Sequence, residues 1–172
     1  KGAGKAACIL PHGVLFRGNA EASIRQQLVR SGYLKGIIGL PANLFYGTGI
    51  PACIVVLDKE NAAGRKGVFM LDASKGFIKD GNKNRLREQD IHRIVDTFKR
   101  QQDTPRYARL VPRAEIADSK NDFNLNISRY ISTAVGEKEI SLATTHDELV
   151  EIGNAIQTAT AKHNEFLKEL GL

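Results

Sequence analysis

At 172 residues the chain can hold one domain with a real core, or a small domain plus an appendage. Its apolar runs fall far short of the ~20 residues needed to span a membrane, no signal peptide is evident, and two cysteines make no disulfide scaffold. The net charge of +6 is uneven: residues 1–113 carry a net +11 and residues 114–172 a net −5, which suits a basic body that meets a polyanion and a tail that meets something else.

Lys1 to Lys5 is a short polar lead-in. The apolar run Ala6 to Leu10 predicts a strand, closed by Pro11 because proline neither donates to a ladder nor continues a central strand. Pro11, His12 and Gly13 then lie where a strand turns toward a helix, the edge of an open α/β sheet at which ligands bind. There His12 either points into a substrate pocket or is a turn residue bonded to backbone. A helix follows, with Asn19 as candidate cap, Ile24 and Leu28 on one face and Gly32 as the stop.

Two short runs rich in Ile and Val, Ile37 to Leu40 and Ile50 to Leu57, predict strands buried on both faces. The connection Pro41 to Gly49 is too short for a parallel crossover, so these strands run antiparallel. The strand, helix and strand upstream of it have the pattern of a right-handed parallel crossover. The expected architecture is thus α/β, a parallel sheet with one antiparallel strand. Cys8 and Cys53 fall inside predicted buried strands without zinc spacing, and are expected to be free core thiols in a reducing cytoplasm.

Downstream, Glu60 to Lys66 is a polar turn, and Gly67 to Asp72 is a strand expected antiparallel to Ala52–Leu57 or on an added flap. A loop-like basic stretch follows with Lys75, Lys79, Lys83, Arg85 and Arg87, then a helix whose Ile91, Ile94, Val95 and Phe98 form a core-facing stripe. Its charges form either a solvated face or a surface for DNA phosphates. Arg109 to Pro112 reads as a short extended piece. Asn121 to Tyr130 alternates polar residues with Phe123, Leu125 and Ile127, as an edge strand or an ordered strap would. Residues 132–144 are expected to link to a C-terminal helix, 145–172, opened by a Thr145–Glu148 capping box. Leu149, Ile152, Ile156, Ala159, His163, Phe166 and Leu170 form a heptad seam on it.

Three blocks, Cys8 to Phe16 (CILPHGVLF), Ile37 to Leu57 (IIGLPANLFYGTGIPACIVVL) and Asn121 to Tyr130 (NDFNLNISRY), resemble in order and register the modification (methylase) subunit of type I restriction-modification systems. Those proteins are adenine-N6 DNA methyltransferases that use S-adenosylmethionine. The resemblance implies the C-terminal half of a class I, Rossmann-like methyltransferase sheet with one antiparallel strand, residues 1–131, plus the C-terminal helical segment. It implies that the aromatic of the loop before the last strand, Phe45, with Tyr46 one register away, stacks on an adenine rotated out of the duplex. Gly47, Thr48 and Gly49 would let the backbone approach the nucleotide, with Pro11 and His12 beside the pocket. The bland alternative is that Leu44, Phe45 and Tyr46 cap the sheet. Gly-Thr-Gly is not a phosphate loop, because the strand-glycine-lysine pattern is absent.

The family's cofactor-binding glycine motif and its Asn-Pro-Pro-Phe tetrapeptide have no counterpart here, since no two of the five prolines are adjacent. The chain is therefore expected to be the C-terminal part of a longer subunit, to bind no S-adenosylmethionine by itself and to be inactive alone, with no catalytic and no metal-binding residues of its own. The strand Ala6–Leu10 lacks the neighbour it has in the family, so its bare edge is expected to self-associate or to be covered by a rearranged N-terminus. DNA and the specificity and restriction subunits are the implied partners; the C-terminal helix either docks on the specificity subunit or packs on its own domain. The rival function is a non-enzymatic nucleic-acid or protein interaction module derived from such an enzyme.

Overall fold

The computed structural model describes residues 3–132 and 142–171. The chain divides into two compact units, Lys1–Thr133 and Ala134–Leu172. The first is a mixed α/β unit around a five-stranded sheet of order β1-β3-β2-β4-β7, where β1 is Lys5–Pro11, β2 Leu34–Gly39, β3 Ala52–Asp58, β4 Gly67–Asp72 and β7 Ala108–Pro112. A separate hairpin pairs β5, Ile78–Asp80, with β6, Lys83–Arg85.

The chain reverses after β2, as the sequence predicts. β3 runs antiparallel to β2, with Ile38 opposite Ile54, and antiparallel to β1, with Leu10 opposite Cys53. It therefore inserts between two strands that are parallel to each other and joined by α1, Asn19–Arg30. β4 corrects the sequence expectation. It runs opposite to β3 but does not pair with it; it lies on the far side of β2, parallel, with Ile37 opposite Met70, and carries β7 antiparallel beyond.

Alternation along β2 and β4 sends side chains to opposite faces. Ile37, Val68 and Met70 join Leu15, Val29, Phe123 and Ile116, the last on the short helix α3, Arg113–Ala117, in the core on one face. Ile38, Phe69 and Leu71 meet Ile94 and Ala108 on the other, with Phe45, Phe98 and Tyr107 packed against them. β2 holds a glycine for a reason of space: a Cβ at Gly36 would lie 2.5 Å from the Phe69 carbonyl oxygen and 2.6 Å from the Phe98 ring. Its absence lets α2, Glu88–Arg100, seat Phe98 against the strand.

Other expectations are adjusted by position in the sheet. β1 ends the sheet with β3 as its partner, and its residues are mostly exposed, so Cys8 is an exposed thiol; Cys53, one strand inward, is buried and its thiol is pushed up to about 11 by desolvation. β3, next to that edge, starts at Ala52 instead of Ile50 and is half-buried along its middle. α1 begins at Asn19 with Gly18 before it and no side-chain cap, and it buries Arg25 and Val29 while Ile24 is exposed. Gly32, at φ +70°, ends the helix as expected. On α2 only Ile94 is fully buried; Ile91 and Val95 face solvent, because only one narrow side of the helix reaches the sheet.

The block Asn121 to Tyr130 is a strap, not a strand. It buries Phe123, Leu125, Ile127 and Tyr130, and the Leu125 amide donates to Leu15 O at 2.8 Å. Its asparagines serve the backbone: Asn121 Nδ2 donates to Glu115 O at 2.8 Å, and Asn124 Oδ1 accepts from the Asn126 amide at 2.9 Å. Buried Arg25 ties the layers together, donating to Val14 O at 2.9 Å and to Phe123 O at 3.3 Å.

In the second unit α4 spans Leu142–Glu169. It begins three residues before Thr145, so the Thr145–Glu148 spacing lies inside the helix. Most of the expected linker, residues 132–144, lies outside the described residues. The 28-residue helix is roughly 42 Å long at ~1.5 Å per residue. Every residue of the expected seam, from Leu149 to Leu170, is exposed.

At the far end of β3, Asp58 is almost fully buried. Its carboxylate accepts from Lys35 Nζ at 3.0 Å and from the Glu60 amide at 3.0 Å. The Lys35 hydrogen bond foremost holds it below the ordinary carboxylate range. A depressed folded-state value means that Asp58 supports the fold above about pH 4 and that this support is lost as the pH falls through the folded value. Thermal unfolding midpoints should therefore drop as the pH is lowered below that point, and Asp58→Asn should make the acid limb shallower; an unchanged limb would show that Asp58 has no part in it.

Candidate functional site

The topology brings one set of strand ends to a common rim. β1, β2 and β4 end there at Pro11, Gly39 and Asp72, and β3 and β7 begin there at Ala52 and Ala108. The loop from Leu40 to Pro51 rises from this rim. Its base is closed by the Leu40 amide donating to Ala52 O at 2.9 Å, and the His12 amide donates to Pro51 O at 3.3 Å.

Within this loop the expected residues take different positions. Phe45 is half-buried, packed against the Ile38 and Phe69 cluster, and lines a cavity of about 250 Å³ with Thr48 and Ile50. The opposite wall is the end of β1, Ile9 to Pro11. Phe45, Thr48 and Pro11 therefore share one cavity. Gly47 is exposed at φ +77°, with open space where a side chain would be, so the backbone there is accessible. The Thr48 hydroxyl accepts from the Ile50 amide at 3.1 Å and sets the turn.

His12 and Tyr46 lie outside the cavity. The His12 side chain leans toward β2, with Nε2 3.8 Å from where a Cβ on Gly39 would sit, and that nitrogen is buried with no hydrogen-bond partner. Tyr46 is 90% exposed, and the Lys83 ammonium lies 3.5 Å from its ring centroid. The Lys83 nitrogen is itself buried and has no hydrogen-bond partner, so the ring is its compensation for lost water. Next to it Asn84 donates from its amide to Asn43 O at 2.9 Å and from Nδ2 to Ala42 O at 2.6 Å. Sequence reasoning missed this support: the β5–β6 hairpin reads as basic loop, and nothing local in it names the loop that it grips.

The cavity lining contains one hydroxyl and no charged side chain. Such a surface suits the face of an aromatic heterocycle and neither holds an ion nor moves a proton. No group of three or more His, Cys, Asp or Glu able to hold a metal occurs among the described residues, and none of their helices is long and apolar enough to cross a membrane.

If Lys83 holds the loop in place, Lys83→Met should speed amide exchange across residues 44–49 by about two- to thirty-fold, the range of a ~0.5–2 kcal/mol cation–π contact, without lowering the global unfolding temperature. Hydrogen-exchange mass spectrometry checks this, and unchanged exchange would show that the contact bears no load.

Comparison with known proteins agrees with this architecture. The family model described as N-6 DNA Methylase matches residues 1–139. The type I restriction enzyme MjaVIII methylase subunit of Methanocaldococcus jannaschii is 32% identical over 169 residues, covering 96% of this chain and 27% of the relative. The MjaVII methylase subunit of the same organism is 36% identical over 152 residues, covering 86% and 26%. The crystal structure of the type I restriction-modification system methyltransferase subunit from Streptococcus thermophilus superposes with a TM-score of 0.69 at 43% identity, covering 75% of this chain and 27% of that one. The chain thus spans about a quarter of the length of these proteins, and it belongs to the N-6 DNA methylase family.

Proposed function

We propose that this chain supplies the C-terminal half of the Rossmann-like catalytic domain in a type I restriction-modification methylase, the subunit that transfers a methyl group from S-adenosylmethionine to adenine N6 in DNA. The observation that carries this reading is that Phe45, Thr48 and the end of β1 share one apolar cavity on the rim where open α/β sheets bind ligands. A base inside a duplex is unreachable for a methyl donor, so the target adenine leaves the stack and needs an aromatic face to replace its neighbours. Phe45 offers that face from a position fixed by the core behind it. Gly47 and Thr48 let the backbone close over the nucleotide and Pro11 forms the far wall, while Tyr46 and His12 would contribute from outside the cavity.

The same lining does not fit the methyl donor. S-adenosylmethionine has a charged amino-acid end and ribose hydroxyls that need polar partners, and the cavity offers one hydroxyl and no charged group. With no counterpart of the family's glycine motif or its Asn-Pro-Pro-Phe tetrapeptide, the 172-residue chain alone is proposed to bind no cofactor and to transfer no methyl group. It would work in the cytoplasm, as its two free cysteines suit.

For assembly, the relevant feature is α4. Leu149, Ile152, Ile156, Phe166 and Leu170 are each more than half exposed. A stripe of that spacing suits docking between long helices, and the specificity subunit is the proposed occupant, with the restriction subunit joining the same complex. The edge of β1 is a further pairing surface, open to self-association.

In an intact type I methylase subunit of this sequence, Phe45→Ala should lower methyl transfer to adenine by about 5- to 150-fold, the equivalent of ~1–3 kcal/mol of stacking, with complex assembly unchanged. An unaltered rate would remove Phe45 from the adenine site. Ile152→Asp combined with Ile156→Asp should abolish co-elution with the specificity subunit while leaving the unfolding temperature of the α/β unit unchanged; retained co-elution would rule out α4 as the docking helix.

A further inference from the structure

The rim holds a second cavity, of about 260 Å³, at its β4–β7 end. Its walls are the turn after β4, the first turns of α2 and the loop that leads into β7. We propose that this cleft binds the phosphodiester backbone of the DNA strand whose base enters the Phe45 pocket, through Arg93 and Arg106. The proposal rests on the reading of that pocket as a DNA site, and adds the place where the strand is held.

Chemistry distinguishes the two cavities. The cleft is lined by Lys75, Arg93 and Arg106 together with Asp72, Asp90 and Tyr107. Both carboxylates have local work: Asp90 accepts from Arg87 Nε at 2.8 Å and Nη2 at 3.0 Å, and Asp72 Oδ1 accepts from the Ser74 amide at 2.9 Å. Among the described residues neither Arg93 nor Arg106 forms an ion pair with a carboxylate. The Arg93 guanidinium carbon lies 4.0 Å from the Tyr107 ring centroid. A cation–π contact of this kind restrains the side chain that carries the planar fork of donors matching phosphate oxygens. Arg106 occupies the left-handed region at φ +60° in the loop on the opposite wall.

Position fits a nucleic acid strand. The Phe45 pocket lies at the β1–β3 end of the rim and the cleft at the β4–β7 end. Three strand spacings separate β1 from β4, roughly 14 Å at about 4.8 Å each. At ~3.4 Å of rise per nucleotide, a strand with one base in the pocket would pass the cleft about four nucleotides away. The net +11 of residues 1–113 provides the attractive field around both.

The test measures the salt dependence with which the 172-residue chain binds a short fluorescent DNA duplex, from about 50 to about 200 mM salt. Arg93→Gln with Arg106→Gln should flatten the slope of log K against log salt by about 1.8, the equivalent of two phosphate contacts. A control with the same charge change outside the cleft, Lys99→Gln with Lys120→Gln, should flatten it by less than half as much. Arg93→Lys, which keeps the charge, should retain the slope while lowering affinity. The proposal is overturned if the cleft pair flattens the slope no more than the control, or if the wild-type chain binds without salt dependence. Phe45→Ala separates the two readings: it should weaken binding at an unchanged slope, and if it leaves affinity intact while the arginine pair still flattens the slope, the pocket reading fails and the cleft stands.

Discussion

The insertion of β3 between β1 and β2 is the constraint on which the rest of the molecule depends. The connection from Leu40 to Pro51 holds no helix to carry the chain back across the sheet, and β3 reverses beside β2. Because it reverses between two parallel strands, its amino end meets both of their carboxyl ends, with Pro11 opposite Ala52 and Gly39 opposite Cys53. One ladder register therefore places the Phe45 loop directly above the end of β1. On the outer side of β1 the same strand would have put that loop away from β2 and from the core residues that hold the Phe45 ring.

Along the rim the protein separates two kinds of chemistry that would interfere if mixed. The cavity at the β1–β3 end is apolar, while the cleft at the β4–β7 end is lined by Lys75, Arg93 and Arg106 with Asp72 and Asp90, and is the one proposed for phosphate. Among the described residues neither arginine pairs with a carboxylate, while Asp90 bonds Arg87 and Asp72 accepts from the Ser74 amide. The geometry of the apolar end depends in turn on a distant hairpin. Lys83 gives up water for the face of Tyr46, and Asn84 satisfies two backbone carbonyls of the loop. Loop position is thus coupled to a segment about forty residues later, through groups that are costly to leave unpaired.

Within the α/β unit, the amount of cover on each strand explains most of the differences in burial. β4 has β2 on one side, β7 on the other and packed layers on both faces, and five of its six residues are buried. β1 has one neighbour, and its residues stay largely exposed. Gly36 shows how finely the cover is fitted, since a single methyl group there would collide with the Phe98 ring and the Phe69 carbonyl.

Local pattern in the amino-acid sequence was enough to determine β1, β2 and β3, the direction of β3, the end of α1 at Gly32, the short strand before Pro112 and the loop that carries Phe45. Each of these follows from short-range rules: apolar runs bounded by proline or glycine, and a connection too short to cross a sheet. Only the tertiary structure decided that β4 pairs with β2 and not β3, that Ile91, Val95 and Cys8 lie in solvent, that His12 leans toward Gly39, and that Lys83 lies beneath Tyr46. The reason is physical: periodicity specifies which side of an element is apolar, whereas the identity of the neighbour that covers it is set by contacts between residues tens of positions apart.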